Sequence, residues 1–572
     1  MSAHDHTDGS TRPGPPGGEE AADAGLLDGE ERAHDLVALR GEGADPGPYA
    51  TGTFQKIAQG MVALVALVVA PYLVPGLDAS LAERFEICKS QPRQGDDCSF
   101  ARAWLPGEPV PFWNVIGREL LGEGAAEVAA ETEVAKAEAL ATALLEQDDA
   151  DDQPLPPREV IPEPPPTVAD PEGPPPLPVY VRHADDATEV VQSLELPTAN
   201  ALDPFFEALA RTDAGYAGAI TRISQWGDSV IASDNVTSSA RASMQRRFGD
   251  AGHGFHLLAK PNASYKHRGI RFTAKDWQLC YVINKCRSDK HFGFGGTTVW
   301  SGGGGETVFR TTDSEALGGA WSRVEIWYAS QPDGGKLRLK LDGGPPTFVS
   351  TRGEALADQW HTLSMTDGPH TLKIRADGRA RLYGAVFERE GPGVVWDGME
   401  QLGAFTSRML YFDEAHLRSQ VEHRDPDLMV FMFGGNDLTL SAAKVEKYEA
   451  TWRATLARFR GDPGNADARP CLLIAPVDHG QRKGPRIISR PEVAEIVKRQ
   501  RLAAAAAGCA FFDTPAAMGG EGAAGRWRKA DKPLIAGDLA HLTLAGQKVI
   551  GHYVYLALME QYVAYRKRTD AR

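Results

Sequence analysis

Positive charge is scarce in this chain. Against 77 Asp and Glu it carries 61 Lys and Arg, a formal net charge of −16 over 572 residues. A nucleic-acid binder normally presents a basic face, and this balance argues against one. None of the six cysteines stands in a C-x-x-C pair, which argues against a zinc ribbon, so no metal is expected. No G-x-S-x-G is present, which excludes the strained nucleophile elbow of lipase-type α/β-hydrolases. The glycine-rich "GFGGTTVWSGGGGE" lacks the lysine of a phosphate loop and reads as a surface loop. No cofactor is expected. Long uncharged runs are equally scarce: only "IAQGMVALVALVVAPYLVPGL", Ile57 to Leu77, is long enough to cross a bilayer.

That run begins too late for an ordinary cleaved signal peptide. It reads as a single-pass membrane anchor through residues 57–77, with a buried core helix as the alternative; Pro71 and Pro75 count slightly against the anchor, since proline is tolerated in a spanning helix but kinks it. Arg40 and Lys56 precede it, and Arg84, Lys89 and Arg93 follow, so the positive-inside rule does not orient it. The cysteines say more about location. They form local pairs, Cys88 with Cys98, Cys280 with Cys286 and Cys471 with Cys509, and such pairing suits an oxidising compartment. The alternative is six unrelated buried thiols. On the first reading the folded part lies outside the cytoplasm, on the periplasmic or extracellular side.

Composition divides the chain. Residues 1–50 are rich in Gly, Pro, Asp and Glu and read as a disordered acidic tail. Residues 78–150 hold a Cys-bearing stretch and then an acidic helix, Gly124 to Gln147, either a lone amphipathic helix or a coiled-coil stalk. Residues 151–193 are a proline-rich linker, expected to be an extended, semi-rigid spacer that holds a domain away from the membrane.

From about Leu194 the chain becomes globular. "AITRISQWGDS" reads as a strand between two helices. Between 256 and 392, short alternating strands such as "SRVEIWYAS" and "KLRLKLDGG" are separated by Asp-Gly and Gly-Gly turns, the signature of an antiparallel sandwich. After 393 the strands become short continuous apolar runs, "DLMVFMFGGND", "PCLLIAPV" and "AAAGCAFFDT", as expected where both sheet faces are covered. Amphipathic helices alternate with them. The expectation is a doubly wound parallel-sheet α/β/α domain, residues 194–255 plus 393–566, interrupted by an inserted β-sandwich at 256–392.

Parallel sheets place their sites beyond the carboxyl ends of their strands. Ser229 follows the first strand in "ISQWGDSVIASDNVT", Gly434-Gly435-Asn436-Asp437 follows "DLMVFMF", and Asp538-Leu-Ala-His541 precedes the last helix. Each alone is weak: serine at such a turn is usually a helix cap, Gly-Gly-Asn-Asp is usually a turn, and Asp-x-x-His recurs at Asp250, Asp358, Asp367 and Asp413.

In this order, however, "GDS", "GGND" and "DLAH" resemble the blocks of the SGNH/GDSL hydrolase superfamily, and "GVVWDGMEQLGAF" supplies Gly403 where that family has its second oxyanion glycine. The resemblance covers the α/β portion. It implies that Ser229 is a nucleophile, His541 its base and Asp538 the group that holds the His541 tautomer. It implies an oxyanion hole from the N–H groups of Ser229 and Gly403 and the Asn436 amide. Asp228 and Asp437 are expected to organise the loops. A sandwich lodged between the first two blocks resembles the architecture of bacterial peptidoglycan O-acetylesterases, where a carbohydrate-binding-module-like domain holds that position. Its tryptophans, among them Trp277, Trp300, Trp321, Trp327 and Trp360, can stack on sugars, but each is read first as core filling.

The function implied is a membrane-tethered, extracytoplasmic serine esterase that removes O-acetyl groups from a cell-envelope polysaccharide such as peptidoglycan. Its partners are then an acyl-ester polysaccharide and the membrane. A polysaccharide O-acetyltransferase, a GDSL lipase or thioesterase, or a non-catalytic glycan-binding protein on the same scaffold are the alternatives.

Overall fold

The computed structural model describes residues 123–150, 155, 157–162, 176–186, 190–312, 317–465 and 468–570. The segments read as an acidic tail and as a membrane anchor at 57–77, and the expected pairing of Cys88 with Cys98, lie outside the described residues. Among the described residues no helix is long and apolar enough to cross a membrane.

The described helices that frame the fold are α1 (Glu123–Ala150), α2 (Asp203–Asp213), α3 (Asn235–Phe248), α4 (Glu414–Arg424), α5 (Tyr448–Arg460), α6 (Pro491–Ala507) and α7 (Leu544–Asp570). The first strand, β1 (Ile220–Gly227), leads through α3 into the sandwich. That unit contains β2 (Gly254–His256), β3 (Ile270–Lys275), β4 (Gln278–Tyr281), β5 (Thr297–Ser301), β6 (Glu306–Thr311) and β7 (Trp321–Ser330). It continues with β8 (Lys336–Leu341), β9 (Thr347–Ser350), β10 (Ala357–Gly368), β11 (Thr371–Asp377) and β12 (Ala380–Glu388). One antiparallel sheet runs β10-β7-β12-β5-β4, with β2 also paired to β12, and the other runs β3-β6-β11-β8-β9. The sandwich begins at Gly254, two residues before the boundary read from the sequence. A Cβ at Gly254 would lie 2.0 Å from Asp397 Oδ1 at φ +80°, so only glycine lets the chain cross there.

The chain then returns to the first sheet with β13 (Gly393–Glu400), β14 (Leu428–Met432) and β15 (Cys471–Ile474). A hairpin, β16 (Gly480–Lys483) and β17 (Arg486–Ser489), precedes β18 (Ala510–Phe512). The order β13-β1-β14-β15-β18 is all parallel. The continuous apolar runs have a direct cause. In β14, Leu428, Val430 and Met432 enter one core, while Met429 and Phe431 enter the other. The first core is closed by α2, α3 and α7, the second by α4, α5 and α6. Both faces are therefore dry, and period-2 alternation disappears.

Two expectations outside this domain change. The acidic helix α1 is neither a lone helix nor a stalk. Val134, Ala137 and Ala141 are buried in the first core, and Glu138 accepts the Lys532 N–H at 2.7 Å. Nor are the described parts of the proline-rich linker a free spacer. Arg158 donates to Phe248 O and Asp213 O, and Ile161 exchanges backbone hydrogen bonds with Gly215 and Ala217. Tyr180 donates to Asp186, which pairs with Arg247. Extended proline-rich backbone makes no internal hydrogen bonds, so its polar groups are open to partners on the domain surface.

Disulfides join Cys280 to Cys286 and Cys471 to Cys509. Trp321 and Trp327 are buried, and Trp360 stacks on His423 at 3.9 Å between centroids, so these rings serve packing.

Candidate active site

The strand order reverses at β1, whose neighbours β13 and β14 are reached by connections leading in opposite directions, and such a point opens a crevice at the carboxyl strand ends. β1 ends at Gly227, where a Cβ would lie 2.8 Å from Met432 O. The tight approach to β14 sets the turn that presents Ser229.

Asp228 is buried and clamps this turn to the next one. Its carboxylate accepts the N–H of Val230 at 3.1 Å, Gly434 at 3.2 Å and Gly435 at 3.1 Å. Burial pushes the carboxyl up to about 6, the Asp437 charge adds to this, and the three amides oppose it. Asp437, also buried, holds the Gly403 loop by accepting the Thr406 hydroxyl at 2.6 Å and the Tyr448 hydroxyl at 3.0 Å. Both aspartates face inward to loops.

Asp538 and His541 share one short loop, in which Leu539 takes φ +62°. Asp538 Oδ1 accepts the N–H groups of Ala540 and His541, each at 3.0 Å, and Oδ2 lies 2.7 Å from His541 Nδ1. Burial pulls the Asp538 carboxyl up, but the hydrogen bonds from His541 and Ala540 outweigh it and hold it below the usual carboxylate range. A carboxylate only accepts, so the Nδ1 proton belongs to the imidazole. His541 Nε2 is then the acceptor, and it lies 2.9 Å from Ser229 Oγ. The side chains of Asp538 and His541 are each 52% exposed, so the site opens to bulk solvent.

Among the described residues no acceptor meets the backbone N–H of Ser229 or of Gly403, although Asp228 N donates to Met432 O and Ala404 N to Gln401 O. Gly403 takes φ +80°. The Asn436 amide donates one N–H to Ala404 O at 3.0 Å and so is tied to the Gly403 loop. An amide carries two donors, which leaves the second for an incoming oxygen. All five residues singled out from the sequence lie at this edge of the sheet.

His479 was not singled out. It follows β15, its ring lies beside Gly435, within about 3.5 Å of where a Cβ would stand, and its carbonyl accepts the Arg490 N–H. Burial drives its imidazole down to about 4, helped by the charges of His541 and Arg490. A lone His gives no motif; its place after "CLLIAPVD" was the available signal. Among the described residues no group of three or more His, Cys, Asp or Glu is arranged to hold a metal ion.

A hydroxyl, an imidazole and a carboxylate in line at the strand ends of a parallel α/β domain define a serine ester hydrolase. Residues 364–549 match the GDSL-like Lipase/Acylhydrolase family. The matched stretch excludes Ser229, which the fold brings back across the inserted sandwich. Among solved structures, a peptidoglycan O-acetylesterase is similar over 65% of this chain and 99% of its own, at 21% identity and TM-score 0.55. That likeness is one of fold. A family two carbohydrate esterase from Clostridium thermocellum (10% identity, 52% of this chain and 99% of its own, TM-score 0.23) and the salicylyl-acyltransferase SsfX3 of a tetracycline biosynthetic pathway (12% identity, 50% and 94%, TM-score 0.22) match too loosely to carry an argument. No curated protein matches the chain.

Proposed function

We propose that the chain is an extracytoplasmic, membrane-anchored serine esterase that removes O-acetyl groups from a cell-envelope polysaccharide, with peptidoglycan as the leading polymer. The observation that carries this reading is the unbroken relay from Asp538 through His541 to Ser229. His541 Nε2 takes the Ser229 proton as Oγ attacks the ester carbonyl. The tetrahedral oxyanion is met by the N–H of Ser229, the N–H of Gly403 and the free Asn436 amide hydrogen. Collapse breaks the bond to the sugar oxygen, which leaves with the proton from His541, and Ser229 carries the acetyl group. Water, deprotonated by His541, then attacks this acyl-enzyme, releases acetate and restores the serine.

Several features support the setting. A site this open accepts an ester carried on a bulky polymer. The Cys280–Cys286 and Cys471–Cys509 bonds suit an oxidising compartment. The uncharged run at 57–77 supplies an anchor. The fold-level likeness to a peptidoglycan O-acetylesterase supports the choice of polymer.

The test is acetate release from O-acetylated peptidoglycan by the full chain in detergent, with Ser229→Ala alongside. Release by the parent and not by the variant is expected. Cleavage of an aryl acetate without release from peptidoglycan would keep the esterase and discard the polymer. Inactivity on both substrates would overturn the reading.

A further inference from the structure

The outer face of the sandwich's five-stranded sheet is cationic in a chain whose net charge is −16. Cross-strand register makes this unusual. Arg271 on β3 lies directly opposite Arg310 on β6. Lys373 on β11 is opposite Lys340 on β8, and Arg375 is opposite Arg338. Like charges directly opposite one another destabilise a sheet, and here three such pairs share one face.

Internal carboxylates relieve only part of this repulsion. Glu306 pairs with Lys275 at 3.4 Å, Lys373 at 3.0 Å and Arg375 at 3.6 Å. Asp377 pairs with Arg338 at 2.7 Å. Among the described residues Arg271, Arg310 and Lys340 have no carboxylate partner. Arg271 and Arg310 instead line a groove of about 590 Å³, together with Thr273, Thr371, Asp342 and His370. In that groove Asp342 lies 2.7 Å from His370 and makes no ion pair with either arginine. At the far edge Phe348, 51% exposed, has Lys336 at 4.7 Å and Arg338 at 5.7 Å from its ring centroid.

We propose that this face binds a carboxylate-bearing glycan strand and holds the polymer while the ester site works along it, an inference that rests on the polysaccharide-esterase reading above. The Arg271–Arg310 pair, in which neither cation has a carboxylate partner, gains most from an anion that bridges it, because a guanidinium binds a carboxylate through two parallel hydrogen bonds. The rows repeat at the spacing of neighbouring strands, about 4.7–4.9 Å, a distance comparable with one sugar unit in a chain of uronates. The exposed Phe348 ring offers an apolar face to a sugar, which an acidic peptide would not require.

The test uses the full chain bearing Ser229→Ala, so that binding is read without turnover. Affinity is measured for polygalacturonate, for neutral dextran of the same length and for polyglutamate, at low and at physiological salt. The parent is expected to bind polygalacturonate in a salt-dependent way, at least tenfold more tightly than either of the others. The triple variant Arg271→Gln, Arg310→Gln, Lys340→Gln is expected to lose tenfold or more of that affinity. With Ser229 restored, this variant is expected to hydrolyse an aryl acetate at the rate of the unsubstituted chain and to melt no lower, since the substitutions remove repulsion. Equal binding of dextran would show that charge is not read, and equal binding of polyglutamate would assign the face to an acidic protein. Either result, or an undiminished affinity in the variant, would overturn the proposal. Absence of aryl acetate hydrolysis by the chain with Ser229 intact and no other substitution would instead count against the esterase reading and leave the binding result to stand by itself.

Discussion

His541 Nε2 lies 2.9 Å from Ser229 Oγ across 312 residues of sequence. The contact is made by the fold alone: β1 and the loop before α7 meet at one edge of the sheet, while the sandwich leaves and returns between β1 and β13.

The partner of that histidine gives the sharpest test of the relay. Asp538 Oδ1 is committed to two backbone N–H groups, so in Asp538→Asn the remaining carbonyl oxygen stays on the backbone side and the NH2 turns toward His541. It then donates to Nδ1, drives the proton to Nε2, and leaves Ser229 without a base. The expected result is a fall in kcat of about 10²–10⁴-fold on an aryl acetate, with KM little changed. A fall of less than about tenfold would show that Asp538 does not set the tautomer.

Much of the fold is legible in the sequence where one physical cause dominates. The run "LMVFM" has no alternation because its odd and even residues enter two separate cores. Three blocks of the site are legible because they fall at the carboxyl ends of β1, β13 and β14, and the fourth because it stands just before α7. Other features left no such trace. The hairpin Gly480–Lys483 and Arg486–Ser489 is half in solvent and has no apolar pattern to read. The docking of α1 depends on Ala137 and Ala141, small residues that look the same on a free helix. The strap at 157–162 is held through backbone groups and Arg158, which composition does not record. His479 is a single residue whose meaning comes only from the turn it faces.

Asn436 tests the other half of the chemistry. Removing its amide in Asn436→Ala takes one donor from the developing oxyanion and also releases Ala404 O. The expected loss is about 2.7–4 kcal/mol of transition-state stabilisation, or about 10²–10³-fold in kcat. Single-turnover kinetics with a chromogenic acetate measure it. An effect confined to KM would place Asn436 in ground-state binding instead.

Arg424 joins the two halves of the molecule. From α4 it reaches Asp397 on β13 at 2.8 Å and Glu388 on β12 at 2.6 Å, and all three are buried. Arg424→Met would leave two carboxylates facing each other without their shared cation, at a cost of about 3–5 kcal/mol. The expected outcome in a melting experiment is a Tm lower by roughly 3–5 °C. A second variant, Arg424→Met with Asp397→Asn, is expected to recover part of the loss. An unchanged Tm in the single variant would mean that Arg222 and Arg323, which also bind Glu388, suffice by themselves.

Acid stability follows from histidines that the fold keeps neutral. Burial depresses His479 and His552 to about 4, and it drives His253 and His256 down in the same way. The unfolded chain takes up protons on these rings near pH 6.5, whereas in the folded chain His479 and His552 do not until about 4, and His253 and His256 stay neutral well below 6.5. Their contribution to stability is therefore complete above pH 6.5 and is lost as pH falls toward 4. For His552, whose Nδ1 lies 3.2 Å from the Ser243 hydroxyl and which stands apart from the relay, this amounts to roughly 1–3 kcal/mol. In His552→Gln the amide retains a partner in Ser243 but has no proton to gain. Thermal melts at pH 7, 6 and 5 are expected to show a shallower decline for the variant, by a few degrees, while aryl acetate hydrolysis at pH 7 stays at the parent rate. Parallel declines in the two proteins would show that His552 is as easily protonated in the folded chain as in the unfolded one.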